Sequence, residues 1–251
     1  MSDSVALALI GGTGLYALPD IEVIERRALD TPWGMPSAPL VLGRLHGRVL
    51  VFLARHGEHH HLAPHRVNYR ANLWALHALG ARRVLAVNAV GGIRADLVPR
   101  TLALPDQLID YTWGRAASYS DADGAAVTHI DFGEPYGASL RRDVLRAAHR
   151  AGVALIDGGC YGATQGPRLE TIAEIARLRR DGCDLVGMTG MPEAALAREL
   201  DLDYACLAVV ANWAAGCDPE PRAITMDEVQ ANVAAASAGI PGLLAALLAM
   251  A

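Results

Sequence analysis

Side chains that can hold an anion follow an apolar run near the start of the sequence. Arg55 and His56 come directly after the run that ends at Ala54. A planar guanidinium can grip a phosphate or a carboxylate through two parallel hydrogen bonds. We therefore predict an anion site at the end of this run.

A glycine-rich loop after the first apolar run gives a second candidate for anion binding. In IGGTG the backbone N–H groups and the Thr13 hydroxyl can face an oxyanion. Gly12, Gly14 and Ala17 also fit the dinucleotide fingerprint, but residues 19–20, a Pro-Asp pair, would end the long helix that this fold requires. The alternative is a tight turn with a solvated threonine.

Other apolar runs also end in polar residues, or in glycines that let the backbone come close to a ligand. These positions are Asn88 and Ala89 before a glycine pair, Glu170, Met188 with Thr189, and Asn212. Each has an alternative interpretation as turn chemistry, and Glu170 could simply complement a helix dipole near the first turn of a helix. Met188 could equally be a core methionine.

Neither histidines nor cysteines form a metal-ligand pattern. Three consecutive histidines, 59–61, cannot all face one ion, and with His65 they are better explained as a solvated loop. The four cysteines have no CxxC pairing. We expect no metal, no cofactor and reduced, buried thiols in a cytoplasmic protein.

The apolar runs and the segments between them predict the elements that position these residues. Runs at 5–10, 48–54, 83–90, 102–110, 154–164, 184–188 and 204–212 read as strands. Helical spacing occurs at 68–79, 140–151, 170–180 and 191–200. This alternation predicts an α/β fold, a mixed central sheet flanked by helices, in a single domain covering residues 1–251. Ligands bind in such folds where strands end.

Composition excludes several partners. The chain of 251 residues is 52% hydrophobic and has a formal net charge of −5, so it is neither disordered nor suited to binding nucleic acid. The N-terminus lacks the basic and long apolar regions of a signal peptide. Residues 229–251 carry no charge, but polar residues, glycines and a proline interrupt them, so we predict a buried terminal helix, at a subunit contact, and no membrane partner.

Together, the motifs IGGTG, LARHG, VNYRANLWAL, NAVGG, QGPRLETIAEI and GMTGMPE resemble the trimeric purine nucleoside phosphorylase and methylthioadenosine phosphorylase family over nearly the whole chain. The resemblance implies that inorganic phosphate is the co-substrate, that the enzyme forms a homotrimer and that a purine leaves a ribosyl group. It implies that Thr13, Arg55, His56, Asn88, Ala89 and Thr189 hold phosphate. It also implies that Asn212, Glu170 and His56 carry catalysis and that Met188 packs on the ribose.

The base pocket departs from the adenine-specific branch of this family. That branch typically carries acids at the positions of Asn212 and Ala214, whereas the 6-oxopurine branch resembles this chain, with Glu170 and Asn212. An ionised Glu170 can accept a hydrogen bond from N1–H of hypoxanthine, but it would face a lone pair on adenine. Leu169 replaces an aromatic residue that often packs on the purine. Trp213 directly follows Asn212, so we expect it near the pocket, and we predict a mobile lid over residues 213–223.

The predicted 5′ pocket resembles the methylthio branch. The segment AITMDEV supplies Met226 and Val229, which the helix face would also explain, and His129 matches a residue that reaches the 5′ end from a neighbouring subunit. A 6-oxopurine pocket with an apolar 5′ pocket predicts S-methyl-5′-thioinosine as the substrate. The alternatives are methylthioadenosine, inosine or guanosine as substrate, a phosphate-independent nucleosidase, and a non-enzymatic metal- or nucleotide-binding protein.

Overall fold

The computed structural model describes residues 4–15, 21–121, 124, 126–220 and 223–250, and it has the predicted fold class. Within these residues one mixed sheet has eleven strands. The strands are β1 (Leu7–Gly11), β2 (Glu22–Arg27), β3 (Leu40–Leu45), β4 (Arg48–Ala54), β5 (Arg83–Gly92), β6 (Leu102–Leu104), β7 (Gln107–Asp110), β8 (Ile156–Asp157), β9 (Cys160–Ala163), β10 (Leu185–Gly187) and β11 (Asp203–Trp213). The helices are α1 (Tyr69–Ala78), α2 (Ala138–Ala151), α3 (Ile172–Arg180), α4 (Gly190–Glu199), α5 (Met226–Ser237) and α6 (Ile240–Leu248), with a short 3-10 helix at Pro64–Arg66.

The centre of the sheet consists of parallel strands. β4, β1, β5 and β11 run side by side in the same direction, so their carboxyl ends meet at one edge. β5 also pairs antiparallel with β10, which continues through the parallel neighbours β9 and β7. Because helices cover both faces, the central strands are buried along nearly all their length. This edge is where the predicted site residues emerge.

The apolar runs located the buried strands, and two of the runs are interrupted. The run 102–110 breaks at Pro105 and Asp106 into β6 and β7, and the run 154–164 breaks at a glycine pair into β8 and β9. Gly158 and Gly159 have φ values of 84° and 125°, which ordinary side chains disfavour. The expectation of continuous strands there was wrong.

Strands β2 and β3 were not predicted. β2 (EVIERR) is at the sheet edge and mostly exposed, so it lacks the apolar run that marks the buried strands. β1 ends at Gly11 and β2 begins at Glu22, so ten residues separate the two strands. That gap is too short for the three-turn helix of a dinucleotide fold, in agreement with the sequence argument. Ala17, Pro19 and Asp20 lie outside the described residues.

The uncharged C-terminal region forms two helices instead of one. By length and composition alone the segment Met226–Leu248 could cross a membrane. In the structure it divides at Gly239 into α5, which packs on β11, and α6, which packs on α2. Apolar side chains of both helices are buried in the main core, as in a core helix of a globular protein.

All four cysteines are free thiols. Cys183 and Cys206 are buried, while Cys160 and Cys217 are partly exposed, so the expectation of buried thiols holds for two of the four.

Candidate active site

One cavity of about 450 Å³ opens at the edge where the parallel strands end. The predicted site residues that line it are Thr13, Arg55, His56, Ala89, Leu169, Glu170, Met188, Thr189, Asn212, Met226 and Val229. Two predicted residues, Asn88 and His129, are not in its lining. Residues more than 200 positions apart in the sequence therefore share one cavity, as expected where strand ends converge.

The parallel register brings the first two loops together. Gly11 pairs with Ala54, and the Arg55 backbone N–H donates to the Gly11 carbonyl at 3.0 Å. A Cβ on Gly12 would lie 2.4 Å from the Val87 carbonyl oxygen and 2.8 Å from Nη1 of Arg55. Glycine is required at position 12 because the loop passes directly over the guanidinium.

The guanidinium of Arg55 forms its paired hydrogen bonds with another residue of the protein. Its Nε and Nη2 donate to the two carboxylate oxygens of Glu193 at 2.8 and 2.9 Å, and Nη1 donates to the Val87 carbonyl at 3.0 Å. The fork therefore binds a carboxylate of the protein itself, one of the two partners that the sequence allowed, and phosphate binding by Arg55 stays a prediction. Although burial opposes its charged form, the Glu193 carboxylate raises the pKa of Arg55. Arg55 lines the cavity as a neutralised cation with Nη1 as its remaining donor.

Asn88 holds other groups and does not line the cavity. Its side chain is 1% exposed, accepts a hydrogen bond from Arg55 at 3.2 Å and donates to the Thr189 hydroxyl at 2.8 Å. In this structure the Asn88 side chain orients Thr189, and its contact with phosphate stays a prediction. Because the Thr189 oxygen accepts from Asn88, the Thr189 hydroxyl proton can be donated into the cavity.

His56 is a buried, neutral imidazole. Its ring is 6% exposed, Nδ1 donates to the Leu62 carbonyl at 2.8 Å, and it stacks on His60 with ring centroids 4.7 Å apart. Burial, reinforced by the Arg55 charge, lowers the pKa of His56 to about 4. With Nδ1–H used on the backbone, Nε2 carries the lone pair and can accept a hydrogen bond from a protonated phosphate oxygen.

The histidine-rich loop contributes to the cavity wall. His59, His60 and His61 are all exposed, and His60 and His61 line the cavity. A Cβ on Gly57, whose φ is 78°, would lie 2.2 Å from the His61 ring. The loop is exposed, as a solvated loop would be, and two of its histidines also face the cavity. In the described part of the chain no group of three or more His, Cys, Asp or Glu residues is arranged to hold a metal ion.

Glu170 lines the same cavity as Thr13. It precedes Thr171, the N-cap of α3, whose capping box with Glu174 fixes where the helix starts. The Thr164 hydroxyl donates to Glu170 Oε1 at 2.5 Å. Thr164 was not predicted as a site residue, since a threonine after a strand gives no signal by itself. It presents the Glu170 carboxylate as a hydrogen-bond acceptor.

Asn212 reaches the cavity because of a β-bulge. The register between β11 and β5 shifts at this point, so that Val210 pairs with Val90 and Asn212 pairs with Gly91. The Asn212 amide donates to the Trp213 carbonyl at 2.7 Å, which fixes the plane of the amide. Trp213 itself ends β11 and lines an adjoining cavity of about 340 Å³ that shares Asn212 and Leu169 with the first.

Arg115 clamps two sides of the site and was missed by the sequence analysis. Its guanidinium donates to the carbonyls of Met188, Met191, Thr164 and Gln165 at 2.6 to 3.2 Å. The carbonyls belong to the loops that carry Glu170 and Thr189. The hydrogen bond to the Met188 carbonyl fixes the backbone at the residue that is predicted to pack on the ribose.

Glu193 was also missed, although the sequence holds a signal for it. It is an acid among apolar residues in MPEAALA, and it is 0% exposed. A buried acid in a helix of this composition requires a cationic partner. The Tyr204 hydroxyl also donates a hydrogen bond to Glu193 Oε1, at 2.9 Å.

The wall near α5 is apolar. Val229 is 8% exposed, and Met226, the first residue of α5, is 58% exposed. Leu169 is 43% exposed and lines both cavities. An apolar substituent of a ligand can be covered here, whereas a hydroxyl group would find few partners.

His129 and the suggested lid are not explained by this chain alone. His129 is exposed and outside the cavity lining, so its role stays a prediction that depends on a neighbouring subunit. In the lid segment 213–223, Pro221 and Arg222 lie outside the described residues.

Comparison with known proteins places this site in a family. The profile of the phosphorylase superfamily matches residues 6–249. A probable S-methyl-5′-thioinosine phosphorylase of Xanthomonas campestris pv. campestris is 61% identical over 246 residues, which cover 98% of each chain. A probable 6-oxopurine nucleoside phosphorylase of Thermococcus kodakarensis is 44% identical over 85% of this chain and 81% of its own.

Solved structures agree with this relationship. Methylthioadenosine phosphorylase from Schistosoma mansoni in complex with adenine superposes with a TM-score of 0.92 and 30% identity, covering 98% of this chain and 92% of its own. The matched residues include every element that lines the cavity. The chain therefore belongs to the phosphorylase superfamily.

Proposed function

We propose that the protein cleaves S-methyl-5′-thioinosine with inorganic phosphate, giving hypoxanthine and 5-methylthioribose 1-phosphate. The observation that carries the proposal is the composition of the cavity of about 450 Å³. An acceptor carboxylate, Glu170, shares it with the apolar pair Met226 and Val229. Relatives up to 61% identical bear the name of this activity.

Phosphate fits the end of the cavity near Thr13, Ala89 and Thr189. The Thr189 hydroxyl there is oriented by Asn88, and Nε2 of the neutral His56 can accept a hydrogen bond from a protonated phosphate oxygen. Donors held in place orient the phosphate oxygen for attack on the anomeric carbon without reorganisation during the reaction. Metals and organic cofactors have no role in this proposal.

The base end selects and activates the purine. Glu170 accepts from N1–H, and the Asn212 amide hydrogen-bonds the N7 and O6 edge. As a phosphate oxygen forms the new bond to the anomeric carbon, the bond to N9 breaks and its electron pair leaves with the purine. Asn212 stabilises the negative charge that develops there.

Kinetics with methylthioinosine, methylthioadenosine and inosine side by side, each with and without phosphate, test the proposal. We expect kcat/KM to be highest for methylthioinosine and product release to require phosphate. A preference for methylthioadenosine would overturn the base assignment, and equal cleavage without phosphate would indicate a nucleosidase.

Inosine is the second candidate substrate. The 44% identity to a probable 6-oxopurine nucleoside phosphorylase favours it, and Glu170 and Asn212 suit both nucleosides. The apolar Val229 decides between them, because a 5′ hydroxyl would lose its hydrogen bonds beside this side chain.

We further propose a homotrimer in the cytoplasm, with His129 completing the 5′ end of a neighbouring site. The exposure of His129 outside its own cavity supports this arrangement. Sedimentation of the protein would give its mass. Loss of activity in His129→Ala with an unchanged mass would support the role across subunits.

A further inference from the structure

We propose that Thr164 is a specificity-determining positioning residue, which sets the preference for 6-oxopurines by holding Glu170 as an ionised acceptor. This inference rests on the proposed function, since it concerns the base end of the same cavity. Thr164 does not line that cavity, so it acts through Glu170.

The backbone of Thr164 is held from two sides. Its N–H donates to the Gly187 carbonyl at 2.8 Å, which extends the pairing of β9 with β10 by one residue. Its carbonyl accepts from Arg115 at 3.2 Å. The hydroxyl therefore projects from a fixed point and not from a mobile loop.

The hydroxyl has one proton, and geometry gives it to Glu170. Oγ1 lies 2.5 Å from Glu170 Oε1 and 3.4 Å from the Gly187 carbonyl oxygen. A hydrogen bond to an ionised carboxylate is shorter and stronger than one to a neutral acid. The contact thus fixes the orientation of the carboxylate.

The other oxygen of Glu170 is left for the ligand. Among the described residues no hydrogen bond reaches Oε2 of Glu170, and the residue lines the cavity. Hypoxanthine satisfies this oxygen by donating N1–H. Adenine would need a proton on Glu170, which weakens the Thr164 contact. One hydroxyl behind the carboxylate therefore increases discrimination between the two bases.

The test compares Thr164→Val with Thr164→Ser. Val keeps the shape and removes the hydroxyl, whereas Ser retains it. We expect Thr164→Val to lower kcat/KM for methylthioinosine by roughly ten- to a hundredfold, the size of one hydrogen bond to a charged group, and to leave methylthioadenosine almost unchanged. Ser should restore most of the wild-type ratio of the two nucleosides.

Thr31→Val is the matched control. Thr31 is 7% exposed and its hydroxyl also donates, to the Gly34 carbonyl at 2.6 Å, but it is outside the cavity lining. This control should lower stability without changing the substrate ratio. Equal losses for both nucleosides in Thr164→Val, without rescue by Ser, would show a merely structural role and overturn the inference.

Base binding separates this inference from the proposed function. Calorimetry with hypoxanthine and adenine in phosphate buffer needs no turnover, and Thr164→Ala replaces Val if that variant does not fold. Weaker hypoxanthine binding with unchanged adenine binding supports the inference even if wild-type protein cleaves neither nucleoside, a result that would overturn the proposed function alone. Equal changes for both bases would overturn the role of Thr164.

Discussion

Removing the Glu193 carboxylate should expose the charge of Arg55 to phosphate. In Glu193→Gln an amide group replaces one carboxylate oxygen and meets the N–H donors of Arg55. The wild-type pair has two hydrogen bonds of 2.8 and 2.9 Å, and its side chains are 1% and 0% exposed. Breaking such a buried pair costs about 3–5 kcal/mol of folding free energy, because a charge is left unpaired.

Phosphate should recover part of this loss. The unpaired Arg55 charge lines the cavity, so the anion takes over as its partner. We expect the phosphate dissociation constant to fall by about tenfold, equivalent to about 1.4 kcal/mol of additional stabilisation at saturating phosphate. Arg55→Ala is a less clear experiment, because it leaves Glu193 buried and unpaired.

Urea unfolding of both proteins, with no phosphate and with saturating phosphate, measures these quantities. Asp143→Asn is the control, since it removes a carboxylate that pairs with Arg83 at 2.5 Å outside the cavity. The control should not change the phosphate increment. An equal increment in wild type and Glu193→Gln would refute the placement of phosphate beside Arg55.

Four further outcomes follow from the same site. Asn212→Asp should raise kcat/KM for methylthioadenosine relative to methylthioinosine, and an unchanged ratio contradicts the role of this amide. Val229→Thr should improve inosine relative to methylthioinosine by about threefold to tenfold, measured by competition between the two nucleosides. Asn88→Ala should raise the KM for phosphate more than that for nucleoside, since the Thr189 hydroxyl loses its orientation; equal changes would count against it. The pKa of His56 is about 4 in the folded protein and 6.5 in the unfolded chain, so the unfolded chain binds a proton first as the pH drops. Without phosphate, the free energy of unfolding should therefore fall by up to about 3 kcal/mol between pH 6.5 and pH 4. His56→Phe should flatten this slope in urea unfolding, and an unchanged slope excludes His56 as its source.

The sequence predicted the buried strands and most of the cavity because both follow from local pattern. An apolar run followed by a polar residue marks a strand end, and Arg55, Glu170 and Asn212 all follow such runs. The exposed strand β2 gives no such pattern, since it is covered on neither face. Edge strands of this kind depend on their partner and not on their own composition.

Hydrogen-bond partners could not be predicted in the same way. Arg55 and Glu193 are 138 positions apart, and Arg115 reaches carbonyls of two distant loops. Carbonyl acceptors are present at every residue, so no sequence pattern distinguishes the ones that Arg115 uses. The sequence placed Arg55 at the cavity, but for this reason it did not identify Glu193 as the carboxylate that the fork binds.

The internal pairing of Arg55 has a consequence for the reaction rate. Arg55 is neutralised by Glu193, and burial keeps His56 neutral, so these two residues bring no net positive charge to the phosphate end. Phosphorolysis develops positive charge on the sugar, which an unpaired cation nearby would oppose. Donors without net charge hold the phosphate and leave its negative charge free to stabilise the positive charge on the sugar. This stabilisation exists only in the transition state. Glu193→Gln should therefore bind phosphate more tightly and yet turn over more slowly. A variant with both tighter binding and a higher kcat would show that the pairing serves stability alone.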